Sequence, residues 1–268
     1  MRETVTIAQA LLLGAVQGAT EFLPVSSSGH LAVLKAVLDV GDVPILFDVI
    51  LHIATLIVVV FVFRQRIWGI LRSIGRWIAR RANETDGENL RLTWVIIVAT
   101  GITAVIGLGI GQLNIGASPR VVSALFIVTG LILIASRFFS GTRGYREIGL
   151  RDGLIVGLSQ GLGVFPGISR SGITISAGLV SGLNREKAGE FAFLVSIPAI
   201  LGAFILTIRD AGELSESVGA LPLTVGFVAA LIVGTAALTV LLRLVRSGKL
   251  FYFAIYLIPL GVAGLILL

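Results

Sequence analysis

Phe22-Leu23-Pro24-Val25-Ser26-Ser27-Ser28-Gly29 interrupts an apolar stretch over residues 5–38, and Phe165-Pro166-Gly167-Ile168-Ser169-Arg170-Ser171-Gly172 interrupts another over 153–182. The pieces on either side of each break are too short to cross a hydrocarbon layer of ~30 Å, which takes about 20 helical residues. Two half-length helices joined by a turn of Pro, Ser and Gly read as a re-entrant hairpin. Backbone of that kind survives at membrane depth only where protein or a wet cavity surrounds it.

The rest of the chain fits that reading. Apolar residues make up 56% of the sequence, charged ones only 13%, and mean hydropathy is +1.00. So little polar surface cannot cover a soluble globule, so lipid must be the main solvent. Gly contributes 33 of 268 residues; small residues let membrane helices approach closely. Six apolar runs are long enough to span, near Ile45–Phe63, Leu92–Gly111, Arg120–Phe139, Lys187–Ile208, Pro222–Leu242 and Leu250–Leu268. The expected fold is an all-α polytopic membrane protein, a single membrane domain of six transmembrane helices plus two re-entrant helical hairpins. The apolar stretch Val5–Val16 lacks a basic flank and a small-residue cleavage site, so it is not read as a cleavable signal.

Basic residues set the orientation. Seven Arg fall in 64–91 and four in 137–151; Arg185, Lys187, Arg243, Arg246 and Lys249 join them on one side. The other side holds Arg2, Lys35, Arg120 and Arg209, with an acidic loop bearing Asp210, Glu213 and Glu216. The crowded side is expected to be cytoplasmic. Both termini and the mouth of the first hairpin then face outward in the plasma membrane, and the second hairpin enters from the cytoplasm. The net charge of +6 is therefore topological, and no nucleic-acid partner is implied. With no Cys and only His30 and His52, disulfides, thiolate metal sites and multi-histidine cages are excluded.

A shift of 143 residues superposes the two breaks. Gly14, Gln17, Gly18, Phe22, Ser26, Ser28 and Gly29 fall on Gly157, Gln160, Gly161, Phe165, Ser169, Ser171 and Gly172, seven identities in seventeen ungapped positions. Composition accounts for some glycine matches but not for paired Gln and Ser at a shared break. Each half, about 1–139 and 140–268, is then a hairpin followed by three spans. An odd number of crossings inverts the second half relative to the first. Inverted-topology internal repeats place their sites near the midplane, where broken helices meet.

The polar residues cluster at those breaks. Gln17 and Glu21 share one helical face before the first break, and Ser27 and His30 share another after it. Ser26-Ser27-Ser28 and Ser169-Arg170-Ser171 each open a helix, where hydroxyls cap free N–H groups. Two converging helix N-termini favour an anion, and Arg170 adds a planar charged fork suited to phosphate oxygens. The set suits phosphoryl transfer. Ser27 or His30 could attack phosphorus, Glu21 could move protons, and Arg170 could hold the transferring group. Plainer roles weigh against this for single residues: an interhelical hydrogen bond for Gln17, a cap for any one Ser, a structural hydrogen bond for His30, a buried pair for Glu21 with Arg170. Asp48 and His52, at i and i+4, read as structural or supporting. Glu190 and Asp152, near cytoplasmic ends, are expected to stay hydrated.

The run Gln17-Gly18-Ala19-Thr20-Glu21-Phe22-Leu23-Pro24-Val25-Ser26-Ser27-Ser28-Gly29-His30 resembles the first signature of the undecaprenyl-diphosphate phosphatases of the bacitracin-resistance type. Pro166-Gly167-Ile168-Ser169-Arg170-Ser171-Gly172-Ile173-Thr174 resembles their second. The resemblance implies hydrolysis of a C55 polyprenyl diphosphate to monophosphate and phosphate, an outward-facing site and a homodimer. It implies catalytic roles for Glu21, Ser27, His30 and Arg170. It implies substrate contacts at Gln17, Ser26, Ser28, Ser169, Ser171 and Thr174. It also implies a divalent cation, Mg²⁺ or Ca²⁺, with Glu21 as its one obvious hard ligand. Many members carry Glu where this chain has Gln17, so a carboxylate pair is lost here. A lipid-phosphate flippase using the same anion site is the rival expectation.

Overall fold

The computed structural model describes residues 5–37, 45–111, 118–210 and 219–267. Arg2 and the connection bearing Glu213 and Glu216 lie outside them, as do the side chains of Lys35, Arg209 and Asp210. The described residues are helical throughout, with one isolated bridge between Arg143 and Leu183. The helices are α1 (Ile7–Phe22), α2 (Ser27–Val37), α3 (Ile45–Val62), α4 (Arg64–Ile78), α5 (Gly87–Gly111), α6 (Pro119–Ser136), α7 (Leu150–Leu162), α8 (Arg170–Val180), α9 (Arg185–Asp210), α10 (Ala220–Arg246) and α11 (Ala254–Leu267).

Five segments are long and apolar enough to cross a membrane: Glu84–Ile110, Pro119–Ser136, Arg185–Leu206, Ala220–Arg246 and Leu250–Leu267. The remaining expected span is α3, which continues after a 76° bend into α4. The basic segment 64–91, which the sequence places between spans, holds the amphipathic helix α4 over more than half its length. Ile70 and Ser73 face inward while Trp68, Leu71, Trp77 and Ile78 are exposed between arginines. A helix of that pattern suits the plane of an interface. Ser73 donates to Asp86 at 2.7 Å and Arg76 pairs with the same carboxylate, which ties α4 to the start of α5.

Both predicted breaks are present. A capping box starts α1: the Thr6 hydroxyl accepts from Gln9 N and Gln9 Oε1 accepts from Thr6 N. The helix stops at Phe22 because Pro24 pushes Leu23 into extended backbone (φ −60°, ψ 141°). Four residues separate it from α2, whose first residue, Ser27, lies 143 before Arg170, the first residue of α8. The arms α1, α7 and α8 have 16, 13 and 11 residues, all short of a span.

Packing follows one pattern in both halves. The arm α1 lies against α10, and α7 lies against α5. Gly14 and Gly18 bring α1 onto the backbone of α10; a Cβ at Gly18 would sit 2.6 Å from the Ala230 carbonyl oxygen. Of the aligned pair in α7, Gly157 does the same to α5, where a Cβ would sit 2.8 Å from the Ala99 carbonyl oxygen, while Gly161 packs against the Ile106 side chain. Helices α6 and α11 pack on each other.

The arginine-rich segments meet at one end. Arg66 pairs with Glu190 at 2.5 Å and Glu88 at 3.2 Å, and Lys187 reaches Glu190 at 3.0 Å. Arg66 and Lys187 both lie over the Tyr145 ring. Burial pushes the Tyr145 phenol well up, so it stays neutral and donates to the Lys187 carbonyl at 3.2 Å. Asp152 is 1% exposed; it pairs with Arg143 at 3.0 Å and accepts from Gly149 N at 2.8 Å. The expectation that Glu190 and Asp152 stay hydrated is thus corrected. Asp152, at the start of α7, is satisfied by a guanidinium and a backbone N–H, and Glu190, in the second turn of α9, is held between the Arg66 and Lys187 side chains.

Candidate active site at the two helix breaks

The two turns touch directly. Gly167 N donates to Ser26 Oγ at 3.1 Å, joining turns 141 residues apart in sequence. Thr129 of α6 donates to the Gly167 carbonyl at 3.1 Å and accepts from Ser169 N at 3.2 Å. Gly167 takes φ +98°, open to glycine at little cost, and a Cβ there would strike the Val122 carbonyl oxygen. Ser26 takes φ +69°, which is uncommon for a residue with a Cβ and marks real backbone strain.

Glu21 is the centre. It lies in the last turn of α1, is 8% exposed, and is met by side chains from four helices. Arg170, the first residue of α8, pairs with its Oε1. Ser27, the first residue of α2, donates to its Oε2 at 3.0 Å. Gln17 Nε2 donates to the same oxygen at 3.1 Å from one turn earlier in α1. His52 of α3 brings Nε2 to 3.7 Å. Ser27 and Arg170 are repeat equivalents, and here they converge on one carboxylate.

A small cleft opens beside this group. Glu21, Arg170, Ser171 and Thr174 form its polar wall; Phe22, Val59, Phe193 and Ile200 form the apolar one. Thr55 and Ser196 also line it, and neither was singled out from the sequence. Each sits within an apolar run and back-bonds its own helix, so no local pattern marks it.

The other expected residues take up definite positions. Ser169 caps α8, accepting from Gly172 N at 3.2 Å, and lies 3.2 Å from Ser171 Oγ. Thr174 donates to the Arg170 carbonyl at 2.7 Å. Ser28 is exposed, 3.5 Å from Ser26 Oγ. His30 faces away from Glu21: its Nδ1 meets the Ser26 carbonyl at 2.9 Å and its Nε2 meets the Tyr256 hydroxyl at 2.7 Å. Tyr256, in α11, was not foreseen. His52, read from sequence as a supporting residue, stands at the carboxylate itself.

The donor set does not suit a divalent cation held by the protein alone. Mg²⁺ or Ca²⁺ asks for six or more oxygen ligands. Glu21 already carries Arg170 on one oxygen and two donors on the other. Gln17 Oε1, buried with no partner among the described residues, adds one neutral oxygen. Among the described residues no three His, Cys, Asp or Glu side chains cluster as a metal cage.

Residues 10–263 match the family of the bacitracin resistance protein BacA. The undecaprenyl-diphosphatase of Treponema denticola is 50% identical over 256 residues, covering 96% of this chain and 95% of that protein. That of Carboxydothermus hydrogenoformans is 41% identical over 265 residues, covering 97% and 96%. That of Methanobrevibacter smithii is 41% identical over 266 residues, covering 96% and 95%.

Proposed function

The chain belongs to the bacitracin resistance protein BacA family of multi-pass membrane proteins, and on that footing we propose that it hydrolyses undecaprenyl diphosphate, or a closely related polyprenyl diphosphate, at the paired breaks. One observation carries the reading: a buried carboxylate of the first break accepts the hydroxyl of Ser27 and the guanidinium of Arg170 from the second. A nucleophile, a proton acceptor and a phosphate clamp thus stand within one contact shell.

The terminal phosphate enters the cleft and draws Arg170 toward its oxygens. A guanidinium has five N–H donors in a fork, so it can hold phosphate as it leaves Glu21. Glu21 is then free to take the Ser27 proton across the existing hydrogen bond. Ser27 Oγ attacks the terminal phosphorus, the P–O bond to the bridging oxygen breaks, and that departing oxygen takes the proton from Glu21. The products are polyprenyl monophosphate and a phosphoserine. Water, losing a proton to the freed Glu21, attacks the phosphoserine; the Oγ–P bond breaks and Glu21 returns the proton to Ser27 Oγ. Ser169, Ser171 and Thr174 line the path of the phosphate oxygens, Gln17 keeps Glu21 in place, and Ser26 and Ser28 shape the turn. Negative charge develops where Arg170 and the α2 and α8 N-termini point. The prenyl tail lies between helices, a source of binding energy remote from the chemistry.

The wider setting belongs to the same proposal. The six spans, two re-entrant hairpins and inverted halves 1–139 and 140–268 are supported by the matched starts of α2 and α8 and by the glycine contacts of α1 and α7. The site opens to the outer face of the plasma membrane, in a homodimer. There it returns the lipid carrier to cell-wall glycan synthesis and gives resistance to bacitracin. The broken helices also suit movement of a lipid phosphate across the bilayer. Reconstituted protein given labelled farnesyl and undecaprenyl diphosphates separates these readings. Release of inorganic phosphate is expected; lipid movement without release would replace the phosphatase with a flippase.

A further inference from the structure

We infer that Tyr256 is a positioning residue for this site, and that with His30 it braces the strained turn that presents Ser27. The inference rests on the phosphatase reading for its kinetic consequence only; the hydrogen-bond pattern stands by itself.

The ring protons follow from the partners. A backbone carbonyl can only accept, so the His30 nitrogen 2.9 Å from the Ser26 oxygen, Nδ1, must carry hydrogen. In a neutral imidazole the other nitrogen is then an acceptor. Nε2 stands 2.7 Å from the Tyr256 hydroxyl, so the phenol donates to it. Both nitrogens are used, and neither points at Ser27. The ring plane is fixed as well. Tyr256 stacks on it with centroids 5.7 Å apart and 28° between planes, and Phe126 of α6 lies 5.6 Å away.

The object of this brace is the Ser26 carbonyl. That oxygen accepts from His30 Nδ1 and also from His30 N at 3.3 Å, while Ser26 Oγ accepts from Gly167 N. Three hydrogen bonds therefore hold a serine with φ +69°. The next residue is Ser27, whose hydroxyl direction toward Glu21 is set by that turn. A chain of contacts runs from the last helix to the nucleophile: Tyr256 fixes His30, His30 fixes Ser26, and Ser26 aims Ser27.

The experiment uses the full chain in nanodiscs, labelled with ¹⁵N in the imidazoles. Two histidines give two sets of signals, and His30→Asn assigns them by removing one. His30 is expected to show hydrogen on Nδ1 and a hydrogen-bonded, unprotonated Nε2. In Tyr256→Phe the Nε2 resonance moves to the position of a nitrogen without a donor. Loss of one positioning hydrogen bond lowers kcat by about tenfold, with KM changed less than about twofold. In His30→Asn the side-chain amide takes the place of Nδ1–H, so this variant keeps about tenfold more turnover than His30→Ala. A proton on Nε2, a Tyr256→Phe spectrum identical to wild type, or His30→Asn no better than His30→Ala would each overturn the brace. The spectra need no substrate, whereas phosphate release by the wild type tests the phosphatase reading separately.

Discussion

The first and second breaks share a backbone and differ in chemistry. Both join two short helices, both open the second helix on a serine-rich turn, and both seat the first helix through a glycine pair. At equivalent positions, however, Glu21 faces Val164, Ser27 faces Arg170 and His30 faces Ile173. If the two breaks arose by duplication, the bare motif would give two equal anion cradles. The first break carries the acid and the hydroxyl while the second carries the cation, and these groups meet at Glu21. Even the shared Gln has diverged in task. Gln17 donates to Glu21, whereas Gln160 donates to Thr103 at 3.2 Å and serves packing.

The largest effects should come from the divergent positions. Glu21→Gln keeps the size and loses the proton acceptor, so kcat for phosphate release should fall roughly 10²- to 10⁴-fold. Arg170→Ala should cost roughly 10²- to 10³-fold, the scale of losing a donor that stabilises transition-state charge. Arg170→Lys should recover only part of that, since a point charge cannot replace the fork. An Arg170→Ala enzyme with unchanged turnover would reduce the second break to scaffolding.

The shared positions should matter less, and alike in both halves. Gly14→Val and Gly157→Val each force a side chain into a helix backbone, a cost of about 1–3 kcal/mol. Thermal unfolding in detergent should show similar losses for the two. A loss in one alone would break the equivalence of the halves. Smallest of all, Ser169→Ala removes the α8 cap and should cost about 1 kcal/mol with KM raised more than kcat is lowered.

The breaks were legible because Pro, Gly and Ser act locally, and each break gathers a Pro, Gly and serines within eight residues, whereas the lone Pro198 and Pro259 leave α9 and α11 continuous. Span positions were legible for the same reason: about twenty apolar residues declare themselves. Glu21, Ser27 and Arg170 could be chosen because ionisable groups beside a broken membrane helix are expensive. What escaped was of two kinds. Helix α4 was hidden by its arginines, although Ile67, Ile70, Leu71, Ile74 and Ile78 keep helical spacing. Tyr256 and the nearness of His52 to Glu21 depend on which helices become neighbours. His30 and Tyr256 are 226 residues apart, and no local pattern joins them.

If the two breaks form one site, Glu21 and Arg170 act on the same transferring phosphate. A double-mutant cycle on phosphate release, with Glu21→Gln, Arg170→Ala and the pair together, measures that directly. Residues acting as a unit are expected to be strongly non-additive, so the double variant should be no slower than the worse single one by more than about threefold. Losses that multiply, as for distant independent positions, would contradict a shared site.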